Sequence, residues 1–319
     1  MNLNQAKKTF EHILNNMSKE PRTDFLMWLT DYLQNIEKIN GLSTQSTNED
    51  MILESIRDEI QEILPVTATS KTETILVPKV GPNADCDPNI TVHVDAFLYD
   101  EKGIDHLVDQ GKLNRNFCTG CGSQDVQPLN YISHSTSIKQ IKYIFQYLVP
   151  DLSNKTILDI GSRTGGVLYG AFLYSNSKKI TGVEIDSSFC EIQKQIIDKY
   201  NMSDRIQVIE DDIFNQGQLA SESDVIVFHN VFDFFLPISD QERMWIFVRN
   251  TFRRKGTIII SIPSLESMVS HLQTDIDLDT WVTCLNDPDL LNLGNIHLYG
   301  SVDNEDSDLE DLFMYRVNG

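Results

Sequence analysis

The 319-residue sequence lacks any run of about eighteen apolar residues, so no segment reads as a membrane-spanning helix. Its N-terminus, MNLNQAKKTF, lacks the apolar centre of a secretory signal. Five cysteines at irregular spacing make no disulfide framework in a chain of this length, which points to a reducing compartment, cytosol or nucleus. Basic charge is also scarce. Only 26 Lys and Arg face 47 Asp and Glu, giving a formal net charge of -21, and no dense Lys/Arg run offsets it. Such a surface repels phosphates, so nucleic acid is disfavoured as a partner, and a basic protein or a small molecule is favoured. The nearest thing to a basic patch, Arg249, Arg253, Arg254 and Lys255, reads as a solvated helix end. Part of the acidity sits in DNEDSDLED, residues 303–311. There is no internal repeat, and nothing in the sequence sets an oligomeric state.

What is present divides the chain into three. Residues 1–68 read as a helical accessory region. Ala6, Phe10, Ile13, Leu14 and Met17 recur at helical spacing, as do Phe25, Leu29, Tyr32, Leu33 and Ile36. After the polar linker GLSTQSTNED, so do Ile52, Ile56, Ile60, Ile63 and Leu64. Residues 69–136 read as a mixed segment of short extended pieces, TETILVP and ITVHVDAFLYD, with turn signals at Gly81-Pro82 and Asp87-Pro88. Within it, FCTGCGS places Cys118 and Cys121 in a C-x-x-C-G turn similar to a zinc knuckle. No second C-x-x-C exists, and only Cys86, His93, His106 or His134 could complete four ligands, so no metal is expected.

Residues 137–319 alternate apolar runs with helical segments, the pattern of an open, mostly parallel sheet. KTILDIG, KKITGVEID, DRIQVIEDDIF, SDVIVFHN and GTIIISIP read as five strands. NIHLYGSV and DLFMYRV read as a closing antiparallel pair. VLYGAFLYS, SFCEIQKQIIDKY and QERMWIFVRNTFRR read as helices between strands. The expected fold class is therefore α/β, a Rossmann-like seven-stranded sheet preceded by a mostly helical accessory region.

The turn LDIGSRTGG, residues 158–166, ends the first of these strands, where open α/β sheets bind ligands. A dinucleotide turn of the G-x-G-x-x-G type needs glycine where this chain has Arg163, and no G-x-x-x-x-G-K-[ST] loop exists for a nucleoside triphosphate. Residues 137–318 instead resemble a class I S-adenosylmethionine-dependent methyltransferase. Asp159-x-Gly161-x-x-x-Gly165 matches that family's first motif, Glu184 in GVEID its ribose acid, and Asp212 in EDDIF its adenine acid, with Asp211 as the alternative. The resemblance implies S-adenosyl-L-methionine as cofactor, held by Asp159, Gly161, Ser162, Gly165, Glu184, Ile185, Asp212, Ile213 and Asn230.

Methyl transfer is an in-line displacement from a good leaving group, so the protein mainly aligns the nucleophile and excludes water. The loop after the fourth strand, HNVFDFF, offers His229, Asn230 and Asp233 to orient or deprotonate a nucleophile, and Phe232, Phe234 and Phe235 to line an apolar channel. GVEID, DDIF and HNVF bear a fainter likeness to histone-lysine methyltransferases that lack a SET domain. That likeness and the acidic charge favour a lysine of a protein as acceptor. A small molecule, an RNA, or a non-catalytic binding module that keeps the fold are the alternatives. ISHSTS, residues 132–137, enters the helix before the first strand, and His134 and Ser135 either reach the bound ligand or cap that helix.

Overall fold

A computed structural model describes residues 3–18, 21–22, 25, 47–81, 83–120, 125–149, 151–302 and 304–319. The chain divides into two compact units, Met1–Met51 and Ile52–Gly319. The first contains helix α1 (Leu3–Asn15), which carries four of the first stripe's residues. Of the second stripe only Phe25, in helical conformation, is described; Leu29, Tyr32, Leu33 and Ile36 lie outside the described residues.

Helix α2 (Asn48–Ile63) runs into the second unit, and its inward face differs by one position from the expected stripe. Leu53, Ile56 and Ile60 are fully buried, whereas Ile52 and Ile63 are exposed. At about 100° per residue, Leu53 falls about 60° from Ile56 on the side of Ile60, whereas Ile52 falls about 40° from Ile56 on the opposite side, so the buried face is centred between Leu53, Ile60 and Ile56 and leaves Ile52 at its rim. Short elements follow: β1 (Thr91–Val94), α3 (Glu101–Asp109), β2 (Asn116–Cys118), β3 (Val126–Pro128) and β4 (Asn130–Ser133). β1 pairs with β4 in parallel, and β2 with β3 antiparallel. TETILVP forms no strand; its backbone is irregular and is held by loops that follow strands of the larger sheet described below. Cys118 donates through Sγ to the Gly120 carbonyl at 2.6 Å, and Cys121 lies outside the described residues.

The remaining chain builds the main sheet. After α4 (Ile138–Tyr143), continued by a π-helical turn to Leu148, come β5 (Thr156–Ile160), α5 (Gly166–Tyr174), β6 (Lys179–Glu184), α6 (Ser187–Lys199) and β7 (Ile206–Glu210). Next come α7 (Gly217–Glu222), β8 (Val225–His229), α8 (Ile238–Thr251), β9 (Ile258–Ile262), α9 (Leu265–Val269) and α10 (Leu278–Trp281). β10 (Val282–Cys284), α11 (Pro288–Tyr299) and β11 (Phe313–Val317) close it. The seven strands run in the order β10-β11-β9-β8-β5-β6-β7. β11 is antiparallel to both its neighbours, and the others are parallel.

Four of the five parallel strands, β5, β6, β8 and β9, are covered on both faces, which is why they read as apolar runs, and β7 at the edge is only partly buried. Strand alternation then sorts their side chains into two cores. Ile157, Val225 and Val227 pack with α2, α4 and α5 through Ile56, Ile141 and Leu168. Leu158, Ile160, Ile226 and Phe228 pack on the other face with Trp245, Phe252 and Trp281.

One expected strand is a helix. NIHLYGSV supplies the end of α11, whose start is fixed by Pro288 in its first turn behind the Asp287 cap and whose end is fixed by Gly300 at φ 85°. The edge strand of the closing pair is instead β10, only three residues long.

α4 and α5 touch closely where α5 carries Gly170. A Cβ there would stand 2.0 Å from Ile141 Cγ2, which is fully buried. Alanine normally improves a helix interior by about 0.5–1 kcal/mol over glycine. Overpacking a core costs about 1–3 kcal/mol, so the clash wins. Gly170→Ala is expected to lower the unfolding free energy by about 1–2 kcal/mol in urea denaturation, and a gain would show that this contact is looser than it stands here.

Candidate active site

The chain steps from β5 to β6 to β7 and then returns to place β8 on the other side of β5. The strand order reverses there, which leaves a crevice at the carboxyl ends of β5 and β8. A cavity occupies it, lined by Asp159, Gly161–Thr164, Gly166 and Val167 from the turn after β5, His229 from the end of β8, and His134–Thr136 from the segment entering α4. That segment is fixed by a capping box between Ser137 and Gln140.

The turn needs its glycines. Gly161 has φ 71°, and a Cβ on it would stand 2.2 Å from Val231 Cγ2. Gly165 has φ 86° and packs against the Tyr169 ring. Arg163 holds φ 43° without being glycine. Its backbone N–H donates to Glu184 Oε2 at 2.8 Å, which stabilises that conformation. Glu184 Oε1 accepts from the Asp186 N–H, also at 2.8 Å. Each carboxylate oxygen thus retains a further acceptor position. Burial raises the Glu184 pKa above its ordinary value, with those two N–H groups and the Arg163 charge opposing.

Asp159 is 4% exposed. Burial first and Glu184 second push its carboxyl up to about 8. Ser162 donates to Gln193 Oε1 at 2.9 Å, which in turn ties α6 to the turn through the Arg163 carbonyl. Ile185 is 71% exposed beside Glu184, an apolar surface available to a flat ring. At the end of β7, both Asp211 oxygens are engaged by its own loop, through the Asp212 N–H, Asn215 and Gln216. Asp212 caps the following turn by accepting from Phe214 N–H at 3.0 Å, and Ile213 is buried beneath.

The loop after β8 separates its residues. His229 Nδ1 lies 3.0 Å from Thr136 Oγ1, and burial followed by the Arg163 charge lowers its pKa to about 3. It is a neutral imidazole at physiological pH. Asn230 adopts φ 46°, and its buried Oδ1 has no hydrogen-bond partner. Asp233 turns away from the cavity to accept from Asn83 Nδ2 at 3.2 Å. The aromatic channel does not form as expected. Phe232 packs edge-on against Trp245 in the second core, and Phe234 is buried against His93 and His134. Only Phe235 is half-buried, edge-on to His134. The loop turns sharply after Asn230, and alternate phenylalanines follow the apolar side inward.

Partners that sequence spacing could not reveal complete the site. His93 Nδ1 and His134 Nε2 lie 2.9 Å apart, and burial and the Arg163 charge hold His134 well below its ordinary pKa. Ser135 donates to Asp95 Oδ2 at 2.5 Å. The Arg163 guanidinium pairs with Glu73, donates to the Ala68 carbonyl at 2.8 Å and stacks on Phe189 with its carbon 4.8 Å from the ring centroid. Among the described residues, no group of three or more His, Cys, Asp or Glu is placed to hold a metal.

These residues fit S-adenosylmethionine. An acid with free lone pairs, Glu184, stands one strand from a glycine turn that admits no Cβ, and a second buried acid, Asp159, lies beneath that turn. Residues 151–294 match the family model described as a methyltransferase domain. No curated protein matches the chain. Similar solved structures include an RNA methyltransferase from Salinibacter ruber in complex with S-adenosyl-L-homocysteine, at 12% identity and TM-score 0.35, covering 56% of this chain and 88% of that one. Another is the C-terminal domain of precorrin-6Y C5,15-methyltransferase from Rhodobacter capsulatus, at 17% identity and TM-score 0.33, covering 48% of this chain and 77% of that one. Residues 151–294, on the strand order described above, carry a methyltransferase domain, whose cofactor is S-adenosyl-L-methionine.

Proposed function

We propose that this enzyme methylates an amine nitrogen on a protein, a lysine of a basic partner. The observation that carries the reading is Asn230 Oδ1, a buried acceptor without a partner, next in sequence to the cavity residue His229. A buried acceptor left unpaired costs about 1–3 kcal/mol, and an N–H donor from the substrate would recover it. When bound, the cofactor supplies a methyl group on a sulfonium. Asn230 would take an N–H of the incoming amine and orient its lone pair, while the neutral His229 adds no charge to repel it. The Arg163 cation and the low-dielectric cavity disfavour an ammonium, which favours the free amine that attack requires. The net charge of -21 supports a basic partner over a nucleic acid. Asp233, held by Asn83, is assigned to shaping the loop rather than to touching the acceptor. The site residues would act from cytosol or nucleus.

The test is methyl-labelled cofactor with a cell lysate separated into protein, RNA and small molecules. Label on lysine of a basic protein is expected, and label in RNA or a metabolite would overturn the acceptor assignment. Asn230→Ala is expected to slow transfer to that acceptor about 10- to 100-fold, with affinity for S-adenosylhomocysteine within about twofold of wild type.

A further inference from the structure

Among the described residues lining the cavity, Arg163 is the permanent cation. Its side chain is 7% exposed, and so is that of Glu73, its carboxylate partner. Glu73 belongs to an irregular segment that crosses the carboxyl ends of three strands. Ser70 and Thr72 donate to Asp186 Oδ2 at 2.8 and 2.6 Å after β6, and the Leu76 N–H donates to the Phe234 carbonyl at 2.6 Å after β8. Between these anchors Glu73 meets the guanidinium after β5.

The guanidinium is not saturated. One terminal nitrogen serves Glu73 and the other serves the Ala68 carbonyl, with a weak 3.4 Å contact back to Glu73. Nε is buried with no hydrogen-bond partner; the nearest acid, Asp95 Oδ2, is 3.6 Å away. Guanidinium groups bind carboxylates best as a fork through two parallel N–H groups, and a buried donor left unpaired is costly. The charge balance restricts what could take that position. Glu73, Asp95 and Glu184 already stand around one cation, and Asp159 lines the same cavity. A phosphate would add up to two further charges, whereas an amino acid brings one carboxylate together with an ammonium that an acid can hold.

We propose that Arg163 anchors the carboxylate of the cofactor's amino-acid arm, and that Glu73 is a built-in competitor which holds the guanidinium until that carboxylate arrives. The inference rests on the cofactor assignment. It explains why this chain has arginine at a turn position that otherwise wants a small residue, and why a segment far away in sequence carries a buried acid over the site.

Calorimetry with two probes tests it. S-adenosylhomocysteine and 5′-methylthioadenosine share the adenosine and thioether, and only the first carries an amino acid. Glu73→Gln removes the competing charge and is expected to tighten S-adenosylhomocysteine several-fold while leaving methylthioadenosine unchanged. The double variant Arg163→Met/Glu73→Gln, which leaves no unpaired charge between the two, is expected to bind S-adenosylhomocysteine about 10- to 100-fold more weakly than Glu73→Gln alone. Methylthioadenosine should keep its affinity there, which also reports that the site is folded. Equal losses for both probes, or no loss for either, would overturn the anchor. Weaker S-adenosylhomocysteine binding by Glu73→Gln would overturn the competitor. Wild-type protein that binds neither probe would instead refute the cofactor assignment itself.

Discussion

Replacing Asp159 with asparagine is expected to make the folded chain more stable at neutral pH while abolishing cofactor binding. The Asp159 carboxyl titrates at about 8 in the folded chain against an ordinary 3.8, because burial and then Glu184 disfavour its charge. Between those values the folded state keeps a proton that the unfolded chain has released. Stability from this group is therefore complete below about pH 4 and declines as pH rises toward about 8, at up to about 1.4 kcal/mol per pH unit. Asparagine keeps the shape of the neutral acid and does not titrate. In urea denaturation the variant should exceed wild type by about 3 kcal/mol or more at about pH 8, with little difference at about pH 4. Glu73, Glu184 and Asp233 are also raised by burial and slope the same way, so the difference between the two proteins is the quantity that counts. Parallel stability curves would show that Asp159 is ionised in the folded chain. The buried acid is thus a stored cost, which a cationic ammonium beside it would relieve, and the variant gives up that partner along with the cost.

How far such a site can be read from sequence depends on how local its physics is. β5, β6, β8 and β9 were legible because strands buried on both faces need continuous apolar runs, and the acids Asp159 and Glu184 stand out against those runs. Asp159 lies in β5 and Glu184 ends β6, as the apolar runs predict, and of these motif residues Asp159 and Gly161 line the cavity. The last sheet edge was not legible. VTC is too short to show alternation, while the isoleucine, leucine and tyrosine of NIHLYGSV suit a strand until Pro288 and Gly300 are recognised as its helix's two ends. The aromatic loop misled for a related reason. A phenylalanine after a strand can face a channel or a core, and only the turn at Asn230 decides it. Least legible were the partners drawn from afar. Glu73 reaches Arg163 across 90 residues, and His93 reaches His134 across 41. No spacing rule connects them, because the connection is made by a segment whose own backbone is irregular.

We propose that Glu184 joins the turn to the ligand, so that its removal is expected to cost both. In Glu184→Ala the N–H groups of Arg163 and Asp186 lose their acceptor. Each buried donor left unpaired costs about 1–3 kcal/mol, although water entering the vacated space recovers part of it. Arg163 at φ 43° would also lose the bond that fixes its strained backbone. The variant is therefore expected to lose about 2–3 kcal/mol of stability in urea denaturation. S-adenosylhomocysteine affinity should fall about 100-fold or more, because the charge-assisted bonds proposed here between Glu184 and two ribose hydroxyls would disappear together with the turn's geometry. Glu184→Gln separates the two effects. Its amide can accept from one N–H but must turn its NH2 toward the other, so it should recover part of the stability and little of the binding. Affinity retained in Glu184→Ala would remove the acid from the cofactor site, and the turn after β5 would then have to hold the ligand through backbone alone.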